Sequence, residues 1–178
     1  MEPELDPVRV LCVIPAGWTD RKAIERALQE VAGEHPDRPL TVVHASEPGK
    51  TMLVAHVAHS LGYRPEPRYA LWNRDCDYSF CEPEHRIPNR GGRPGTYCPA
   101  AGARRDLAMV KAGAALCLEF VLGDPGGDLP AGVLAAMRAG IPIRKVEQVR
   151  IPRPRQSSRP AARRHLGEAD RRKQRSLW

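Results

Sequence analysis

Two stretches of this chain, VRVLCVI (8–14) and AALCLEFVL (114–122), are nearly continuous apolar runs, interrupted only by Arg9 and Glu119, and they constrain the fold more than any other feature. A strand with one wet face alternates apolar and polar residues. A short run apolar at nearly every position, bounded by turn residues, marks a strand covered on both faces. Such strands pair in parallel, and parallel pairing needs crossover connections, usually helices.

The sequence supplies those helices. After the first run, Thr19 or Asp20 can cap a helix whose apolar positions Ala23, Ile24, Ala27, Leu28 and Val31 follow the helical period, with Gly33 near its end. LTVVH (40–44) reads as a second strand, and TMLVAHVAHSLG as a helix ending at Gly62. PEPRYALW (65–72) reads as a third strand weakened by its prolines. AGARRDLAMVKAG is a third helix, DPGGD a turn, LPAGVLAAMRAG a fourth helix and IPIRKVEQV a fifth strand. This alternation predicts an α/β, doubly wound, mainly parallel sheet of about five strands over residues 8–149. In such a sheet, ligands sit outside the carboxyl ends of the strands. The loops on that edge are Pro15–Thr19, Ala45–Lys50, the segment 73–99 and Gly123–Asp128.

Segment 73–99 is an insertion of a different kind. It carries Cys76, Cys81, His85 and Cys98, with few large apolar residues around them. Two ligands at close spacing, a third a few residues on and a fourth returned by a Gly/Pro loop can close a tetrahedral Cys3His zinc shell. Four protein ligands leave no open position, so such a zinc is structural. The alternatives are a Cys76–Cys81 disulfide, which needs an oxidising compartment, or thiols without a role.

The 178 residues carry a net charge of +7, and its distribution matters. Residues 150–178 alone hold +8, which leaves the remainder at −1. That Pro/Arg/Ser-rich tail has too little apolar content to fold alone; the expectation is a disordered basic arm, with nucleic acid as its partner class. No apolar run reaches the roughly 18 residues of a membrane span, the first residues do not read as a signal peptide, and two of the five cysteines, Cys12 and Cys117, lie in strand-like apolar segments. The cytoplasm is the expected compartment.

Several motifs face the ligand edge. Gly49-Lys50-Thr51 ends like a P-loop, although a full one needs Gly where His44 stands; a lysine at a helix start can still meet a phosphate, and the bland reading is an ordinary loop. Gly102, Arg104 and Arg105 open the third helix; adjacent helical residues diverge by about 100°, so one arginine is expected to face a ligand, with a solvated pair or an Arg–Asp106 bridge as the alternative. Gly17 and Trp18 sit after the first strand, where Trp18 can stack a base or simply pack. Glu119, amid apolar neighbours, is either a pocket carboxylate or a solvent-facing strand residue. His44, His56 and His59 have no arranged nucleophile or carboxylate, so no triad is read.

The strand ending in GWTD, LTVVH with its Gly-containing turn, CPAAGARRDLAMVKAGAALCLEF and GIPI together resemble the YspA/YpsA-related branch of the SLOG superfamily, Rossmann-like domains related to the LOG and DprA/Smf proteins. The resemblance covers about residues 8–146 and is strongest over Cys98–Phe120. It implies binding of a nucleotide or nucleotide-derived small molecule at Gly17, Trp18, Gly49, Lys50, Thr51, Gly102, Arg104, Arg105, Gly126 and Gly127, beside the zinc insertion. It also implies, by analogy with pairing relatives, a homo-oligomer. The chain departs from the family in having Pro15 where Gly is usual, and in lacking the acidic residue of the second glycine turn and the Thr of the third. The Gly-Thr loop and Glu with which LOG-like relatives hydrolyse N-glycosidic bonds are incomplete here, so base release is not expected and turnover of any kind stays open. A nucleic-acid adaptor built on the basic tail is the alternative from another class.

Overall fold

The computed structural model describes residues 5–148 except 48–51, 77–78, 80, 83–84, 90, 92 and 124–127. The basic tail 150–178 therefore lies outside the described residues. The sheet comprises β1 (Val8–Val13), β2 (Leu40–Ser46), β3 (Arg64–Tyr69), β6 (Leu116–Val121) and β7 (Ile143–Glu147). Its order is β3-β2-β1-β6-β7, and every pairing is parallel. The helices are α1 (Arg21–Glu34), α2 (Met52–Ser60), α3 (Ala101–Lys111) and α4 (Ala131–Arg138). The α/β, doubly wound, Rossmann-like architecture expected from the sequence is the one observed.

The apolar runs behave as their composition dictates. On β1, Val8, Val10 and Cys12 pack with Ile24, Leu28 and Val31 of α1 and Val54 and Val57 of α2. Leu11 points to the opposite face, where it joins Met109 and Val110 of α3 and Ala135 and Ala136 of α4. Burying each of the larger aliphatic side chains contributes on the order of 2 kcal/mol, so both faces hold the central strand. Asp20, not Thr19, caps α1: its Oδ1 accepts the Ala23 N–H at 2.9 Å. Gly33 is helical, and the capping position falls on His35.

The third strand is shorter than its composition suggests. It starts at Arg64, ends at Tyr69 and forms an edge of the sheet, where Pro65 and Pro67 are tolerated. Beyond it, Trp72 leaves the sheet and packs its ring edge-on to Tyr97 at 6.2 Å. Between β3 and α3 the insertion forms a small antiparallel hairpin, β4 (Ile87–Pro88) with β5 (Thr96–Tyr97). Gly91 and Gly95, with φ of 72° and 90°, sit between its two strands.

Strand order reverses between β1 and β6, the edge from which ligands usually approach a doubly wound sheet. The insertion follows β3 and returns into α3, so it stands on that same carboxyl edge.

Candidate metal centre and ligand edge

Three cysteines and a histidine converge in the insertion. Cys76 and Cys81 lie on the outgoing limb, His85 just before β4, and Cys98 between β5 and α3. His85 Nε2 is 3.0 Å from Cys76 Sγ and 3.3 Å from Cys98 Sγ, and Cys81 Sγ is 3.9 Å from Cys98 Sγ. All four ligand atoms lie within 4.8 Å of one another, the spacing of a metal-binding group. None of the five cysteines is in a disulfide, so the alternative Cys76–Cys81 bridge is not formed in this structure. Cys81 and Cys98 are buried with Ala101, and Trp72, Ala70 and Cys76 pack around them. This third cluster is small, so the insertion has little apolar burial to hold it without the four donors.

The cluster is tied to the domain at both ends. The Cys98 N–H donates to the Trp72 carbonyl at 2.9 Å, and the Ala101 N–H donates to the Cys98 carbonyl at 3.1 Å. The start of α3 has no side-chain cap. Burial pushes the Cys98 thiol up, but the Ala100 backbone, Cys76, Cys81 and the Arg104 guanidinium together outweigh it and bring the thiol down. The shift is toward the thiolate, the form that ligates metals. Cys12 and Cys117 are different. Burial raises both, Cys117 to about 12 with Glu119 adding to the rise, so these two are inert core thiols.

Beside the cluster lies an open cavity of about 600 Å³, bounded by Tyr69 at the end of β3, Leu71 just beyond it, Arg74, Asp75 and Cys76 of the insertion, and Arg104 and Arg105 of α3. Both arginines reach it, which the divergence of neighbouring helical residues did not lead us to expect. Arg105 is committed within the protein: its guanidinium bonds Asp106 at 2.8 Å and Glu47 at 3.1 Å and is only 11 % exposed. Asp106 is itself raised by burial, which outweighs the opposing pull of Arg105, and Glu47 adds to the rise. Arg104 shows no ion pair among the described residues and faces the cavity from the Cys98 side.

Other expected ligand residues have different surroundings. Trp18 is buried, packs edge-on to Phe120 at 5.1 Å and donates its Nε1–H to the Asp20 carbonyl at 3.0 Å. Its ring is a core element, not a platform for a base. Gly17 makes the turn after β1 with φ of 91°. A Cβ at Gly102 would lie in ordinary contact with the Trp72 ring at 3.4 Å, so the start of α3 sits against the insertion at this position. Gly49, Lys50, Thr51, Gly126 and Gly127 lie outside the described residues. Glu119 is not solvent-facing: it is 5 % exposed and its Oε2 has no hydrogen-bond partner among the described residues. Tyr69, Leu71, Arg74 and Asp75 went unnoticed in the sequence, where nothing distinguishes them from a strand end and a loop.

No family model matches the chain, and no curated protein matches it in sequence. Among solved structures, a universal stress protein from Archaeoglobus fulgidus aligns over 79% of this chain and 98% of its own, at 14% identity and a TM-score of 0.42. A protein of the universal stress protein family from Burkholderia pseudomallei aligns over 77% and 94%, at 16% identity and a TM-score of 0.32. Likenesses at these scores do not bear on function. No helix among the described residues is long and apolar enough to cross a membrane.

Proposed function

We propose that this chain is a SLOG-like domain that binds a nucleotide or nucleotide-derived small molecule at the carboxyl edge of its sheet, with a structural zinc ion in the insertion beside the site. The observation that carries the reading is the Cys3His group set against the arginine-lined cavity. Zinc fits the donors. With Zn–S near 2.3 Å and Zn–N near 2.0–2.1 Å, tetrahedral geometry separates ligand atoms by roughly 3.5–3.8 Å; His85–Cys76, His85–Cys98 and Cys81–Cys98 lie at 3.0, 3.3 and 3.9 Å, and all pairs are within 4.8 Å, close enough for one ion to draw them in. Thiolates and imidazole select zinc over magnesium or calcium. When bound, the ion fixes the insertion; Cys76, Cys81, His85 and Cys98 hold it, and no coordination position is left for substrate.

A cavity of this size is in the range of small-molecule sites. Arg104 and Arg74 supply positive charge for a phosphate, Tyr69 an aromatic surface, and Asp75 an acceptor for hydroxyl groups. The reading is one of binding; no reaction is assigned. Isothermal titration with adenine and guanine nucleotides tests it on the zinc-loaded protein. At least one nucleotide should bind, and Arg104→Ala should weaken it about tenfold or more, the loss of one charge-assisted contact. Failure of every nucleotide to bind contradicts the reading.

The +8 charge of residues 150–178 favours a second reading, a nucleic-acid adaptor that binds through its tail. Deleting 150–178 separates the two: it abolishes DNA or RNA binding in the second and leaves nucleotide binding intact in the first.

A further inference from the structure

Arg86 follows His85 directly, and the reading of the metal centre gives it no task. Among the described residues of the insertion, its guanidinium is nonetheless the most heavily bonded. Nε donates to Thr96 Oγ1 at 2.8 Å and Nη2 to the Thr96 carbonyl at 2.7 Å, gripping the returning strand of the hairpin. Nη1 donates to the Arg74 carbonyl at 2.8 Å and also lies 3.9 Å from Cys76 Sγ. One planar, rigid fork thus joins a metal-binding sulfur, the backbone at the cavity wall and the strand leading to Cys98.

The charge balance gives this geometry a purpose. A divalent ion with three thiolates and a neutral imidazole carries one net negative charge. That charge is half-buried, and an uncompensated buried charge is costly. Arg86 places a permanent positive charge beside the Cys76 sulfur. Ligating groups are commonly oriented by outer hydrogen-bond partners of this sort, whose loss typically weakens metal binding by about 10–100-fold.

We propose that Arg86 is a positioning residue for the metal centre: it neutralises the metal–thiolate group, aims the Cys76 sulfur, and through the Arg74 carbonyl fixes the cavity wall to the metal. The proposal rests on the reading that the Cys3His group holds a metal ion.

Cobalt(II) titration of the full chain under reducing conditions, with zinc competition, tests it in wild type, Arg86→Gln and Arg86→Lys. Arg86→Gln is expected to weaken both metals by about 10–100-fold, and to shift the sulfur-to-cobalt absorption band per bound ion as the Cys76 sulfur is released. Arg86→Lys, which keeps the charge but not the fork, is expected to fall between. Urea unfolding of the metal-free proteins supplies the control. If Arg86 only staples the hairpin, Arg86→Gln lowers the stability of the metal-free protein while leaving metal affinity and absorption unchanged, and the proposal is overturned. If wild type binds metal and all three proteins agree within twofold, the proposal falls while the metal centre stands. If wild type binds neither metal, both fall.

Discussion

Replacing His44 by leucine should remove a measurable acid sensitivity from folding. His44 is 1 % exposed; its Nδ1 lies 2.9 Å from the Ala45 carbonyl, and its Nε2 has no partner among the described residues. Burial lowers its pKa from 6.5, and the hydrogen bond to Ala45 opposes this only in part. The unfolded chain therefore takes up a proton as the pH falls below 6.5, while the folded protein resists doing so. Stability linked to His44 is fully present above that value and is lost toward the lower folded pKa, at up to about 1.4 kcal/mol per pH unit. Because the loss begins near pH 6.5, moving from pH 7.5 to 5.5 costs at most about 1.4 kcal/mol through this group. Urea unfolding of wild type and His44→Leu at both pH values, with the same metal content, isolates the effect, since the remaining titrating groups are shared. Wild type should lose more than the variant, by up to about 1.4 kcal/mol. Losses agreeing within about 0.3 kcal/mol, the usual limit of additivity, would refute the reasoning.

The bidentate pair between Arg9 and Glu66, at 2.6 and 2.9 Å, ties the central strand to the edge strand. The hydrogen bond from Arg9 holds the Glu66 carboxyl down at about 2 against the opposing effect of burial, with Arg68 assisting. The pair's contribution is present above the ordinary carboxylate range and is lost as the pH falls toward 2. Glu66→Gln should lower stability by about 1 kcal/mol at pH 7, a value limited by solvent screening, and the difference from wild type should vanish in acid denaturation. Glu119→Leu should raise stability by about 1 kcal/mol, because it replaces a buried carboxylate oxygen that has no hydrogen-bond partner among the described residues by apolar surface. A lowered melting temperature would show that the carboxylate has a partner.

The sheet was legible because its central strands had to be apolar on both faces. Residues such as Val10 and Leu11 on β1 face opposite layers, and no single-faced strand carries that pattern. The grouping of Cys76, Cys81, His85 and Cys98 was legible for a chemical reason: Cys and His at that spacing in an apolar-poor loop have few other uses. What escaped was set by packing between distant residues. The hairpin strands β4 and β5 have two residues each, too few for any periodicity. Trp18 looked equally suited to a ligand or to the core until Phe120 was found beside it. Arg105 looked available until Glu47, 58 positions earlier, was found on its guanidinium. Arg86 carried no signal at all, since its partners Arg74, Cys76 and Thr96 meet only after the insertion folds.

Native mass spectrometry of the full chain, before and after a strong chelator, tests the central claim most directly. The account predicts one zinc ion per chain, absent in Cys98→Ser, together with a co-purified mass of nucleotide size that is lost with the metal. A chain carrying neither metal nor small molecule, and unaltered by Cys98→Ser, would contradict it.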